Sequence, residues 1–267
     1  GLDCANGSAW ALAKTVFDAL GAQVRCIGVS PDGTNINAEC GSTRPERLCE
    51  LVRLHSLDLG FAFDGDADRC ICVDERGEVV DGDGILWVCA KDMHERGELG
   101  GGGVVTTVVS NGGLARALER SGILCTRTQV GDKYVAEEMA RRGALLGGEP
   151  SGHIVFRKYA TTGDGILTAL RVAEIVLERK CPLSILTRGY VPLPQKKRDV
   201  PGPGGAAILE REDVRAAIAR AQGEDVRMVV RASGTEPVVR IFAEGDEAAE
   251  GALRLVERAV RAAAEEL

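Results

Sequence analysis

Apolar runs of strand length alternate with stripes of helical period along the first two thirds of this chain. Residues 24–29, 59–63, 70–73 and 104–109 read as strands, another strand runs to Val130, and Ala144 to Gly147 leads into a loop. Helical stripes fall between them at about 9–20, 45–55, 112–121 and 132–142, with Ser8 placed to cap the first and Gly21 to end it. Asp81-Gly82-Asp83-Gly84 opens a further helix through about Arg96. This alternation predicts two consecutive α/β units with largely parallel sheets, and their likeness makes them candidate structural repeats. Proline and glycine then punctuate residues 191–194 and 201–205. Beyond them the order is helix (209–221), strand (226–231), loop, strand (238–243) and a helix from Glu247, a smaller α+β domain with a mixed or antiparallel sheet.

The loop between the strands at 59–63 and 70–73 reads Asp64-Gly65-Asp66-Ala67-Asp68-Arg69. A tight connection there aims three carboxylates at one point, where their mutual repulsion calls for a cation. Oxygen-only ligands favour a hard ion such as Mg²⁺, which also takes waters or a phosphate oxygen. Arg69 can hold a second anionic group by charge-assisted hydrogen bonds. An EF-hand starting at Asp64 is excluded, because its obligatory glycine falls on Arg69 and a strand replaces the exiting helix. A haloacid-dehalogenase-type phosphatase with Asp64 as nucleophile is an alternative. A solvated acidic turn is the bland one, and the apolar flanks weigh against it.

Composition narrows the partners. A length of 267 residues, 45% hydrophobic and 27% charged, suits an ordinary globular protein of two or three domains. A net charge of −7 argues against a general nucleic-acid or anionic-membrane surface, so an anionic substrate must meet local positive clusters. No long apolar span or signal-peptide pattern is present. Nine cysteines without a CxxC pair fit a reduced, cytoplasmic setting, with Cys70 and Cys72 packing on one strand face. The chain opens on Gly1 rather than methionine, inside what reads as a strand, which leads us to expect that an upstream part is absent.

Three more loops carry chemistry. Arg231-Ala232-Ser233-Gly234-Thr235-Glu236-Pro237, closed by Arg240, offers two hydroxyls, a backbone free to approach closely and two guanidiniums. That inventory grips a phosphate dianion, against the plainer reading of a polar hairpin turn. In residues 147–153, Glu149 and Ser151 can bracket neighbouring sugar hydroxyls. His153 is a candidate general acid/base or phosphate donor, although a single histidine is more often structural. Thr161-Thr162-Gly163-Asp164-Gly165 caps a helix through Thr162 or Asp164. Lys133, in Gly131-Asp132-Lys133 at a strand-to-helix junction, either contacts substrate or is solvated.

Taken in order, these segments resemble the α-D-phosphohexomutase superfamily, and within it the bacterial phosphoglucosamine mutases. Residues 3–7, 31–37, 40–43, 79–83, 110–111, 130–135, 147–153, 161–170 and 231–240 carry the resemblance together with the acidic loop. The family folds as four domains around a central cleft, and this chain is similar to domains two to four. The resemblance places domain II with the metal loop at 1–78, domain III with the sugar-recognition loop at 79–190, and domain IV with the phosphate-binding loop at 191–267. It implies that Asp64, Asp66 and Asp68 bind Mg²⁺, and that Arg69, Lys133 and His153 lie at the catalytic centre. Glu149 and Ser151 would contact the sugar, while Arg231, Ser233, Gly234, Thr235 and Arg240 would hold the non-reacting phosphate. The implied reaction interconverts glucosamine 6-phosphate and glucosamine 1-phosphate through a 1,6-bisphosphate, in peptidoglycan-precursor synthesis in the cytoplasm.

The departures from the family pattern are specific. Ala67 stands where the family's acidic loop has glycine, and Pro150 where glutamine is usual. No segment matches the phosphoserine loop of the family's first domain, so the fragment alone is expected to be inactive and monomeric, its parent dimeric. A phosphoglucomutase/phosphomannomutase fragment and a non-catalytic phosphosugar-binding protein are the alternatives.

Overall fold

The computed structural model describes residues 1–202, 204–223, 226–233 and 236–266. The chain divides into two compact units, Gly1–Val191 and Pro192–Leu267.

The first unit contains two sheets of like design. In the first half, β1 (Leu2–Asp3), α1 (Ala9–Ala19), β2 (Cys26–Ile27), α2 (Glu46–His55), β3 (Gly60–Phe63), β4 (Cys70–Val73) and β5 (Val79–Val80) follow one another. They give a sheet of order β2-β1-β3-β4-β5, parallel as far as β3 and antiparallel from there. After α3 (Gly82–Glu95), the second half runs β6 (Val104–Thr107), α4 (Gly112–Arg120), β7 (Cys125–Thr128), α5 (Asp132–Arg142), β8 (Leu146–Gly148) and β9 (Ile154–Phe156). Its sheet has the order β7-β6-β8-β9, again parallel until a final antiparallel hairpin. The expected repeat is therefore real, and each largely parallel sheet expected is mixed, ending in an antiparallel hairpin. The unit closes with α6 (Gly165–Arg179) and the short α7 (Leu183–Leu186).

One helix ties the halves together. Along α3, Ile85 to Ala90 are all buried, so the helix is apolar on every side and packs against strands of both sheets. One contiguous core follows, from Leu2, Phe61 and Phe63 through Leu86 and Trp87 to Leu146 and Phe156. Asp81 caps α3 by accepting the Gly84 N–H, and Asp164 caps α6 by accepting that of Leu167. Ser8 stands at the N-cap of α1 as expected, but its side chain makes no cap hydrogen bond, while its backbone N–H donates to Gly65 O at 2.8 Å.

The second unit contains β10 (Gln195–Pro201), α8 (Gly205–Glu210), α9 (Glu212–Ala221), β11 (Arg227–Ala232), β12 (Val238–Glu244) and α10 (Ala248–Glu265). Its sheet, β10-β12-β11, is antiparallel throughout. Val239, Ile241 and Ala243 alternate into a core with Leu253, Val256 and Val260 of α10, a period of two meeting a helical stripe. The single helix expected over 209–221 is two, parted at the extended Arg211. None of the nine cysteines forms a disulfide, and Cys70 and Cys72 are buried in β4 as expected. Among the described residues, no helix is long and apolar enough to cross a membrane.

Candidate active site

The acidic loop occupies the β3–β4 hairpin, and the 149–153 loop occupies the equivalent β8–β9 hairpin of the second sheet. Fold repetition thus presents two chemically different turns in corresponding places. They are joined directly, since the Cys70 N–H donates to Gly152 O at 3.0 Å. A Cβ on Gly152 would lie 2.3 Å from Cys70 O, so only glycine permits the approach.

Carboxylate oxygens of Asp64, Asp66 and Asp68 lie within 4.8 Å of one another. Burial, followed by the charge of Asp68, pushes the Asp64 carboxyl up to about 6, against the Arg69 N–H that donates to its Oδ1 at 3.1 Å. Arg69 Nε stands 3.7 Å from both Asp64 Oδ2 and Asp68 Oδ1, close enough for attraction and too far for a hydrogen bond. Asp68 Oδ1 is buried without a hydrogen-bond partner. Three clustered carboxylates and one orphaned buried oxygen are a donor set that fits a hard divalent cation. Ala67 adopts φ +61°, the left-handed conformation that its glycine-replacing position foretold.

His153 is 3% exposed, and both of its ring nitrogens are engaged. Nδ1 lies 3.0 Å from Asp68 Oδ2, and Nε2 accepts the Gly163 N–H at 3.1 Å. Glu149 accepts the Gly131 N–H at 3.1 Å, which brings the loop bearing Lys133 beside the β8–β9 hairpin. Lys133 itself is 74% exposed and near Glu137. Ser151 is exposed, and Pro150 sits second in a turn closed by the Gly152 N–H to Glu149 O at 3.0 Å, a position proline suits. The N-terminus of α3 supports this turn: the Gly82 N–H donates to Pro150 O at 3.0 Å, and a Cβ there would lie 2.0 Å from Glu149 O.

In the second unit, Arg231 and Arg240 are cross-strand partners. The Ser233 N–H donates to Val238 O at 2.9 Å, and Ser233 Oγ accepts the Glu236 N–H. Arg240 forms an ion pair with Glu236. Gly234 and Thr235, also expected here, lie outside the described residues.

Sequence reasoning missed the supports of the acidic loop. The Gly165 N–H donates to Ala67 O at 2.9 Å, and the Ser8 N–H to Gly65 O at 2.8 Å. Cβ atoms on Gly165 and Gly7 would lie 2.4 Å from Arg69 O and 2.3 Å from Gly65 O. The glycines of the Thr161-Thr162-Gly163-Asp164-Gly165 run were the available signal for this support, which the helix-cap reading did not include.

Family models of phosphoglucomutase/phosphomannomutase match in succession: alpha/beta/alpha domain II over residues 1–77, alpha/beta/alpha domain III over 81–192 and the C-terminal domain over 190–262. The chain belongs to this family. It is 55% identical over 247 residues, 91% of its length, to a phosphoglucosamine mutase of Lachnospira eligens. It is 50% identical over 251 residues to another from Symbiobacterium thermophilum. It covers 55% and 56% of those two proteins, so the chain spans about half the length of the curated relatives it matches. Among solved structures, a phosphoglucomutase/phosphomannomutase family protein from Burkholderia thailandensis superposes with a TM-score of 0.79 at 25% identity, over 98% of this chain and 60% of that one. The N-acetylphosphoglucosamine mutase of Aspergillus fumigatus, solved with GlcNAc-6P and magnesium, shares the fold with a TM-score of 0.82 at 23% identity, over 98% of this chain and 61% of that one.

Proposed function

We propose that this chain supplies the metal, sugar and phosphate contacts of a phosphoglucosamine mutase. Such an enzyme interconverts glucosamine 6-phosphate and glucosamine 1-phosphate by two phosphoryl transfers through a 1,6-bisphosphate. The observation that carries this reading is the direct join between the acidic hairpin and the Glu149–His153 hairpin through Cys70 and Gly152. On this reading it would put a cation site beside a hydroxyl-binding turn, in a chain about half-identical to phosphoglucosamine mutases.

Asp64, Asp66 and Asp68 would hold Mg²⁺, which when bound draws negative charge from the transferring phosphoryl group. Arg69, already within reach of two of these carboxylates, would bind a phosphoryl oxygen alongside. Glu149 would accept from the sugar's hydroxyl or amino groups while its other oxygen keeps the Gly131 N–H, and Ser151 would add a second polar contact. Lys133, exposed on the adjoining loop, would reach the substrate as a mobile point charge. In the second unit, Arg231, Ser233, Gly234, Thr235 and Arg240 would grip a phosphate. The phosphoryl-carrying serine of the reaction has no counterpart among these residues, so the 267-residue chain alone is expected to bind sugar phosphates without converting them.

Calorimetric titration with Mg²⁺ and glucosamine 6-phosphate, glucose 6-phosphate and glucosamine 1,6-bisphosphate tests the reading. Preference for the glucosamine ligands supports it. Equal binding of the two hexose monophosphates would favour a phosphoglucomutase-type specificity, and turnover by the pure chain would remove the need for an external phosphoryl carrier.

A further inference from the structure

We infer that Asp83 is a positioning residue for the Glu149 turn, which a closed ring of buried contacts holds in place. The inference rests on the sugar-binding reading of that turn given above. The ring starts at the Asp83 side chain, whose Oδ2 accepts the Asn111 N–H at 2.7 Å. Next along the chain, the Ser110 hydroxyl meets that of Thr106, and Thr106 Oγ1 lies 2.9 Å from Gly148 O. A carbonyl only accepts, so Thr106 gives its one proton to Gly148 and takes that of Ser110. Gly148 ends β8 and leads into the turn. From the turn the contact returns to α3, because Pro150 O accepts the Gly82 N–H at 3.0 Å. Gly82 precedes Asp83, and the ring is closed.

Thr106, Ser110, Asn111 and Asp83 are all buried. Shielded from water, each of these bonds is costly to break, since its partner is left unsatisfied. Asp83 therefore holds the turn at two points: at Pro150 through the main chain, and at Gly148 by way of Ser110 and Thr106. The α3 side has no slack, since a Cβ on Gly82 would lie 2.0 Å from Glu149 O and 2.8 Å from Gly152 N. Topology gives the ring a purpose. In the order β7-β6-β8-β9 the chain leaves β6 to one side and returns on the other. The carboxyl ends of β6 and β8 thus open the crevice in which α/β sheets bind ligands. Asp83 lies beneath that crevice and would not touch the sugar. It sets where the Glu149 backbone stands, and so where the Glu149 carboxylate meets the ligand.

Calorimetry with glucosamine 6-phosphate and amide hydrogen exchange by NMR, both on the 267-residue chain, test the inference. Asp83→Ala should weaken glucosamine 6-phosphate binding by about tenfold or more and speed exchange of the Glu149 and Gly152 amides by a similar factor. Mn²⁺ affinity should stay within about threefold, because the acidic hairpin lies outside the ring. Thr106→Val cuts the ring on its far side and should act the same way. Asp83→Asn and Thr106→Ser keep the bonding oxygen and should restore the behaviour of the parent. Unchanged sugar affinity in Asp83→Ala and Thr106→Val, or a loss that the Asn and Ser variants share, would overturn the inference. So would faster exchange that spreads evenly to the Leu2 and Phe61 amides of the first sheet, the mark of general destabilisation. If Asp83→Ala does not fold, the two Thr106 variants decide. If the parent binds Mn²⁺ but no glucosamine 6-phosphate, the sugar-binding reading fails, and exchange measured without ligand still decides whether Asp83 holds the turn.

Discussion

Arg231 and Arg240 stand directly opposite each other on β11 and β12, in register across an antiparallel pair. Side chains so paired share one face, here the face away from the core that Val239 and Ile241 enter. Like charges in that relation repel by roughly 0.2–1 kcal/mol, which the Glu236 carboxylate paired with Arg240 offsets in part, and a bound dianion would turn the remainder into attraction. Inorganic phosphate should therefore raise the melting temperature of the second unit. Arg240→Ala should weaken phosphate binding by about 10–100-fold, the worth of one charge-assisted contact. Unchanged phosphate affinity in that variant, measured by calorimetry, would contradict the role.

The acidic loop predicts opposite effects with and without metal. Asp66→Asn removes one of three mutually repelling carboxylates, so the metal-free protein should gain about 1 kcal/mol, a rise of a few degrees in melting temperature. The same change should abolish most of the stabilisation by saturating Mg²⁺, which for a ligand at a hundred times its Kd is about 2.7 kcal/mol. Thermal melts with chelator and with Mg²⁺ check both signs.

Ala67 holds a left-handed conformation at φ +61°. That conformation costs a residue with a Cβ about 1–2 kcal/mol, while glycine there loses roughly 0.4–1 kcal/mol through its freer unfolded chain. Ala67→Gly should therefore stabilise the protein by about 0.5–1 kcal/mol and leave metal affinity intact. Urea denaturation measures the first, and a loss of stability would show that the Ala67 methyl makes a contact worth more than the strain.

Asp83 supplies a pH signature outside the acidic loop. Burial, then the charge of Asp81, raises its carboxyl from 3.8 to about 7, against the Asn111 N–H that donates to it at 2.7 Å. The folded state thus binds the proton more tightly than the unfolded one. Stability from this group is present below about pH 4 and is lost as pH rises through about 7, by on the order of 2–4 kcal/mol. Asp83→Asn keeps an oxygen for the Asn111 N–H and cannot ionise. The variant should gain on the parent between pH 5 and pH 8, whereas a pH-independent difference in melting temperature would contradict the account.

Much of this was legible because the decisive strands are short, continuous and apolar. Residues 60–63 and 70–73 announce buried strands, and the acids between them announce the loop. β10 was not legible: Gln195-Lys196-Lys197-Arg198-Asp199 carries no apolar alternation, because it is an edge strand whose charged side chains face solvent. The break at Arg211 was hidden by good helix formers on both sides. Gly163 and His153 are ten positions apart, and their contact depends on a β-hairpin and a loop that periodicity cannot fold. Glycine matters there for the space it leaves, which no composition records. The same tertiary fact buries His153 and engages both of its ring nitrogens, which the sequence could offer only as a candidate acid or base or as a structural histidine.

The most direct test of the central claim is a crystal of the 267-residue chain grown with Mn²⁺ and glucosamine 1,6-bisphosphate, examined by anomalous scattering at the manganese edge. The account predicts one anomalous peak ligated by Asp64, Asp66 and Asp68, with Asp68 bound through Oδ1 and a phosphoryl oxygen completing the shell beside Arg69. A manganese ion bound elsewhere, or a bisphosphate that avoids both the Glu149–Ser151 turn and the Arg231–Arg240 pair, would contradict it.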